Sequence, residues 1–248
     1  MAQMTLTNQL LTNLRNQLHP SLSKAGSSIA GRAGGGDEWY LVLGSAFASA
    51  HKGAEALPLL YDMAVQGGED GVRVQRRLKE TVLKGSVLYG IPSTLESSFA
   101  LVAHLRKIGA STDGGFFLRR DQDIANVEER GNKRLADVYQ HNFPDIQAKF
   151  GNDMEDIKMI TMPVNYGLIL SEDTILDFPS TELVILSALV PQNLRAETLW
   201  HLRGCRRAGW SDEVISSVRD VSIRVAEMAG RPTNKVPTLD EVSETKNE

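Results

Sequence analysis

Two stretches of the chain carry the same order of apolar helices and glycine stops, and no other feature narrows the fold as far. In the first, an apolar run over residues 39–50 precedes a helical pattern ending at Gly67 and Gly68. A longer pattern then closes at Gly90, Ile91 and Pro92. In the second, an apolar run over residues 183–190 precedes a pattern ending at Gly209, and a longer one closes at Gly230, Arg231 and Pro232. The interval from Gly68 to Gly90 is 22 residues and that from Gly209 to Gly230 is 21. A helix with one apolar face must bury it against another element. The layout therefore predicts two stacked helical modules sharing a core.

Helical patterning extends through the rest of the chain. Residues 38–50, 54–65, 72–88 and 93–107 read as helices in the first half, with Gly90 and Pro92 breaking the last two apart. The second half reads as helices over 123–140, 145–150, 181–190, 194–208 and 211–229, with an apolar stretch over 154–170 interrupted by Pro163. In 211–229, Val214, Val218, Val221, Val225 and Met228 form one stripe facing a partner helix. No segment alternates as a half-buried strand does, so the expected fold is all-α.

The domain reading follows. Residues 1–36 form an N-terminal helix, marked by Leu10, Leu11, Leu14 and Leu18, plus a flexible linker over 31–36. Residues 37–115 form the first module, 116–234 the second, and 235–248 a polar tail. The boundary lies at the turn signal Asp113, Gly114, Gly115. Residues 1–36 hold no Asp or Glu, so a mitochondrial transit segment is the alternative to a cytoplasmic start.

Charge and cysteine content close off several classes. With 27 Lys+Arg against 31 Asp+Glu, the chain has no electrostatic footprint for nucleic acid. No apolar run approaches the ~20 residues of a membrane helix. The one cysteine, Cys205, excludes an internal disulfide framework, a CxxC redox pair and a cysteine zinc cage. His19, His104 and His141 show no ligand spacing, so no metal is expected. Gly34, Gly35 and Gly36 lack the Lys-Ser/Thr of a phosphate loop.

The chemistry-bearing residues gather in the second half. Glu197 and His201 lie four apart and share a helix face, with Cys205 one turn further on. A carboxylate beside an imidazole fixes its orientation and suits general acid–base work near neutral pH. Glu182 opens the preceding apolar helix, where an acid also favours a helix N-terminus. Arg203, Arg206 and Arg207 could clamp a substrate carboxylate, or complement the helix end and meet Asp212 and Glu213. Trp200 and Trp210 read as core aromatics. Leu60 stands where the first half would need the counterpart of His201, so that half reads as scaffold or site wall.

Over residues 129–232 the chain resembles the carboxymuconolactone decarboxylase family of the alkylhydroperoxidase D-like superfamily. The resemblance rests on Glu129, Arg130, Gly131, Arg134, Val138, Tyr139, Tyr166, Gly167, Leu176, Asp177 and on Thr181, Glu182 and Leu183. It is densest over 197–204, and continues through Ala208, Gly209, Asp212, Glu213, Val214, Ala229, Gly230 and Pro232. The first half resembles a degenerate second copy. The resemblance implies an all-α alkylhydroperoxidase D-like bundle of two tandem modules, no cofactor, and assembly as a dimer, trimer or hexamer. It places the superfamily's proton-relay glutamate at Glu182, its histidine at His201 and the decarboxylase glutamate at Glu197. The two peroxidase cysteines fall on Leu194 and Glu197, which rules out thiol peroxidase chemistry. Two departures separate the chain from true decarboxylases: Thr181 stands where an arginine is usual, and 165–170 lacks their tryptophans.

The expected function is a cofactor-free lyase or isomerase acting on a small carbonyl acid or lactone. His201 serves as the acid–base group oriented by Glu197, and Glu182 relays protons or binds the carbonyl. Arg203, Trp200 and Tyr166 form the substrate side. The alternatives are a non-catalytic helical oligomer that binds a small molecule or protein, and a redox protein using Cys205.

Overall fold

Apolar helices without charges on any face must be enclosed by other helices, and the second element of this chain is such a helix. The structure, a computed structural model, describes residues 5–23, 37–113 and 126–244. The linker expected over 31–36, the boundary at residue 115 and the first residues of the helix expected from 123 lie outside the described residues. α1 (Asn8–Gln17) is followed by α2 (Trp39–Ser49), α3 (Gly53–Gln66) and α4 (Gly71–Lys107). The second half comprises α5 (Val127–Tyr139), α6 (Phe143–Phe150), α7 (Glu155–Met159), a π-helical segment (Ile160–Leu170), α8 (Phe178–Leu189), α9 (Arg195–Arg207) and α10 (Asp212–Met228). Among the described residues no strand occurs, and the all-α expectation holds.

Every residue of α2 is buried. It is enclosed by α3, α4, α8 and α10, with α1 closing over it. α8 is enclosed in the same way: from Ser180 to Leu189 it is buried throughout, and Glu182 is its only charge. The two helices run parallel, side by side. Ser45 Oγ donates to the Val184 carbonyl at 2.7 Å, and one turn on Ser49 Oγ donates to the Ala188 carbonyl at 2.6 Å. Each pair is 139 residues apart, and the first residues of α2 and α8 are separated by the same offset. The glycine stops also correspond. Gly68 and Gly209 adopt φ of 98° and 94°, and Gly90 and Gly230 adopt 83° and 72°. These left-handed conformations cost a side-chain-bearing residue but not glycine.

One continuous core joins the halves, running from Leu11, Leu14 and α2 through Leu183, Leu186 and Leu202 to Val214, Val218, Val221 and Val225 of α10. The stripe read on α10 is therefore its buried face. α4 is broken at Gly90 into two arms, where two separate helices were expected. A fully buried lysine of its first arm, Lys84, crosses to the second half. Its Nζ donates to the carbonyls of Glu172 (2.6 Å) and Leu176 (3.0 Å) and to Thr181 Oγ1 (2.7 Å).

The stretch over 154–170 departs from an ordinary helix. It begins as α7 and widens into the π-helical segment that contains Pro163. Proline has no N–H to give and its ring crowds the preceding turn. A wider helical turn, common at functional sites, absorbs this. The segment packs on α5 where the backbones nearly touch: a Cβ added to Gly167 would lie 2.0 Å from the Val127 carbonyl oxygen. The described part of the polar tail expected over 235–248, residues 235–244, is tied to the body of the chain. Val236 joins the core, Arg195 bonds Glu241 at 2.5 Å, and Arg207 bonds Glu244 at 2.9 Å.

Candidate active site

α8 positions the first site residue. Asp177 caps the helix, its Oδ1 accepting from the Ser180 N–H at 3.0 Å. Glu182 is thus one turn inside α8 rather than at its start, and the role of an acid favouring the helix end falls to Asp177. The Glu182 side chain is buried, at 1 % exposure. α9 brings His201 to it: His201 Nδ1 lies 3.0 Å from Glu182 Oε2. The approach requires Gly204, because a Cβ there would sit 2.3 Å from Glu182 Oε2. Among the described residues Glu182 Oε1 has no hydrogen-bond partner.

The expected orientation of His201 by Glu197 is corrected by this geometry. Glu197 shares the helix face of His201, as the i,i+4 spacing requires, but the hydrogen bond to the ring comes from α8. With Glu182 ionised, the Nδ1–H donates to it and Nε2 is the ring nitrogen left for chemistry.

His201 and Glu197 both line a cavity of about 160 Å³. Trp200 completes the α9 wall, Tyr139 comes from α5, and Thr161, Asn165, Tyr166 and Leu170 come from the π-helical segment. Ile185 and Leu189 of α8 and Val87 and Leu88 of α4 supply apolar surface. An apolar cavity of this size holds a single-ring molecule. Tyr139 and Tyr166 bond each other, hydroxyl to hydroxyl, at 2.9 Å. Burial, with the charges of Glu182 and Glu197 behind it, pushes the Tyr139 hydroxyl well above its ordinary pKa. Burial pushes Tyr166 up as well. Both therefore remain neutral donors across the physiological range. Tyr139 also packs edge-on to the Trp200 and His201 rings, with centroids 6.0 and 6.1 Å away.

Of the residues expected on the substrate side, Trp200 and Tyr166 are in the cavity wall and Arg203 is not. Arg203 follows His201 by two positions, roughly 200° around the helix, and is buried with its guanidinium 3.4 Å from Asn142 Oδ1. Arg206 forms a two-pronged pair with Asp212, at 2.8 and 2.9 Å. Arg207 holds the Val138 carbonyl at 2.8 Å. The arginine cluster thus braces the chain. Cys205 is fully buried, and burial followed by the nearby Glu182 charge pushes its thiol well above the usual range. A reactive thiolate is disfavoured there.

Tyr139, Thr161 and Asn165 were not read as site residues from the sequence. Their signal was faint: Tyr139 ends a helix whose apolar spacing is that of any core face. Val87 and Leu88 carry no chemical signature, and only the break at Gly90 marks the place where α4 passes the cavity. Among the described residues no group of three or more His, Cys, Asp or Glu is arranged to hold a metal, and no helix is long and apolar enough to cross a membrane.

Similarity to known proteins is distant. No protein-family model matches the chain, and no solved structure matches it. The chain is 25% identical over 160 residues to Peroxisomal protein 2 of Schizosaccharomyces pombe, covering 64% of this chain and 73% of that protein. It is 24% identical over 176 residues to Peroxisomal protein 2 of Saccharomyces cerevisiae, covering 62% of each, so the match spans less than two thirds of the budding-yeast protein.

Proposed function

We propose that this chain is a cofactor-free lyase or isomerase acting on a small carbonyl acid or lactone by general acid–base catalysis. The observation that carries the reading is the Glu182–His201 hydrogen bond at the wall of a ring-sized, largely apolar cavity. His201 Nε2 exchanges a proton with substrate carbon, and Glu182 holds the ring and balances the charge it gains. Decarboxylation or proton abstraction beside an unsaturated carbonyl leaves an enolate or dienolate. A partly dry pocket with fixed donors stabilises such an anion.

The reading includes the resemblance to the carboxymuconolactone decarboxylase family and an alkylhydroperoxidase D-like bundle of two tandem modules. The parallel α2–α8 pair and the matching glycine stops support the tandem arrangement. Assembly as a dimer, trimer or hexamer is part of the same proposal, and the exposed Ile91, Leu95 and Phe99, one turn apart on α4, are apolar surface that assembly would cover. The names of the two relatives favour the peroxisome over the cytoplasmic or mitochondrial location expected from the sequence. Fluorescently tagged chain co-localising with a peroxisomal marker tests that point.

The catalytic reading is tested by incubating the protein with a panel of five- and six-membered lactones, cyclic ketones and keto acids. Products are followed by proton resonance for wild type and His201→Ala. Conversion of one class by wild type and its loss in a folded His201→Ala protein support the reading. Conversion that survives the substitution removes His201 from it. Tight binding of a panel member with no conversion favours the non-catalytic binding alternative.

A further inference from the structure

Tyr139 and Tyr166 are 5 % and 8 % exposed, both line the cavity, and their hydroxyls bond each other at 2.9 Å. One hydroxyl hydrogen is used in that bond. The accepting tyrosine keeps its own hydrogen, for which no protein acceptor is found among the described residues. A buried donor without an acceptor costs free energy unless a ligand or water takes it. The pair therefore presents a hydrogen-bond donor from a buried wall, with His201 forming part of the same wall.

Charge sets what that donor can meet. Among the described residues no lysine or arginine lines the cavity. Cations near its wall are engaged elsewhere: Arg134 bonds the Leu170 carbonyl at 3.3 Å and Asp173 at 2.5 Å, Lys84 binds the following loop, and Lys149 stands 5.3 Å over the Trp200 ring. Arg203 faces Asn142. Glu197 contributes a negative charge to the lining. A substrate that arrives as a carboxylate would meet that charge with no cation in the lining to offset it. A neutral compound whose oxygen becomes anionic only during reaction would meet the tyrosine donor at the moment it is needed.

We infer that the Tyr139–Tyr166 pair is an oxyanion site, and that the cavity takes an uncharged, ring-sized ketone or lactone with an acidic C–H beside or vinylogous to its carbonyl. This inference rests on the acid–base reading of His201; it keeps the lactones of that reading, sets aside its charged carbonyl acids and adds uncharged ketones. In the step it implies, the C–H bond breaks and its proton goes to His201 Nε2. The electron pair forms the C=C bond of an enolate, and the negative charge settles on the oxygen held by the tyrosine hydroxyl. In an unsaturated ketone or lactone the C=O π pair moves onto oxygen and the anion extends through the C=C as a dienolate. Return of the proton from His201 to its far carbon then shifts the double bond and completes an isomerisation, with no oxidant or reductant consumed.

The test uses phenol and its mono-, di- and trifluorinated derivatives as oxyanion mimics graded in acidity, with fluorobenzene as the neutral control of equal size. Binding to wild type, Tyr139→Phe and Tyr166→Phe is measured by calorimetry. Wild type is expected to bind the phenols more tightly as their acidity rises. At least one Tyr→Phe change is expected to weaken the most acidic phenol by about 10- to 100-fold, the loss of one hydrogen bond to a charged group, while leaving fluorobenzene unchanged. Phenol affinity that does not rise with acidity in wild type overturns the inference without recourse to any variant. Equal loss for phenol and fluorobenzene also overturns it, because that is the signature of a reshaped cavity. The readout is independent of turnover. Selective phenol binding without conversion of any carbonyl compound would sink the catalytic reading and leave the oxyanion site standing. Conversion of a ketone or lactone unaffected by both Tyr→Phe changes would do the reverse.

Discussion

The His201 ring is held by Glu182, 3.0 Å away and 19 positions earlier in the chain, rather than by Glu197 one turn before it on the same helix. The contact links α8 to α9, so the orientation of His201 depends on the packing of two helices and not on local spacing. One oxygen of Glu182 takes this bond while the other has none among the described residues. Natural proteins tolerate such a poorly satisfied buried carboxyl where function requires it.

Glu182→Gln separates stability from activity. The substitution keeps an acceptor for Nδ1–H and removes a buried charge, so the melting temperature is expected to hold or rise. Turnover of any substrate found is expected to fall by about 100-fold or more, since the group that balances the imidazolium is gone. Thermal unfolding and steady-state rates on the same preparation check both.

Gly204→Ala acts on the same contact by crowding. The new methyl falls 2.3 Å from Glu182 Oε2 and 3.3 Å from Val138 Cγ1. The expected cost is about 1–3 kcal/mol of stability, with loss of activity as the carboxylate moves off His201. Denaturant unfolding gives the first quantity. An unchanged midpoint would show that α8 and α9 separate freely at this point.

Lys84→Met probes the link between the halves. The lysine is fully buried and satisfies two loop carbonyls and Thr181 Oγ1. Removing its ammonium strands those acceptors in the interior, at about 1–3 kcal/mol for each that stays dry. The melting temperature should fall, and amide exchange over residues 170–181 should accelerate first.

Cys205 should resist thiol reagents. Full burial and the adjacent Glu182 charge both oppose ionisation. A chromogenic disulfide reagent at pH 8 is expected to leave the folded protein unlabelled and to react with one thiol after denaturation. Rapid labelling of the folded protein would reopen a redox role.

A pH dependence of stability follows from the cluster below α2. Glu69 and Asp37 share Arg73, with Glu69 Oε2 3.0 Å from the guanidinium. Burial, then the hydrogen bond and charge of Asp37, raise the Glu69 carboxyl to about 7. Asp37 is lowered, its burial outweighed by the Glu69 and Arg73 hydrogen bonds. A carboxyl raised on folding contributes stability that is present below its ordinary pKa and lost as pH climbs through about 7. The melting temperature should therefore decline from pH 5 to pH 8, and Glu69→Gln should flatten that decline.

How far the sequence could be read depends on the range of the interaction. The helices and their stops were legible because they rest on local chemistry: the charge-free run of α2, the left-handed glycines at Gly68, Gly90, Gly209 and Gly230, the buried stripe of α10. His201, Glu197, Trp200 and Tyr166, the residues expected at the site, all line the cavity. Arg203 was misplaced because spacing along a helix does not say which face meets the next helix. The role of Glu182 as the partner of His201, and the pairing of Tyr139 with Tyr166, depend on contacts between helices that no local pattern encodes. The widening of the helix around Pro163 was visible only as an interruption.

The most direct test of the acid–base claim is deuterium exchange. Cyclic ketones and lactones are incubated with wild type and with His201→Ala in heavy water, and incorporation at carbon is followed by resonance and mass. The account predicts that wild type labels at least one uncharged ring-sized carbonyl compound, and that His201→Ala, with its circular dichroism unchanged, does not label it above the buffer rate. Labelling that persists at the wild-type rate in His201→Ala would contradict it.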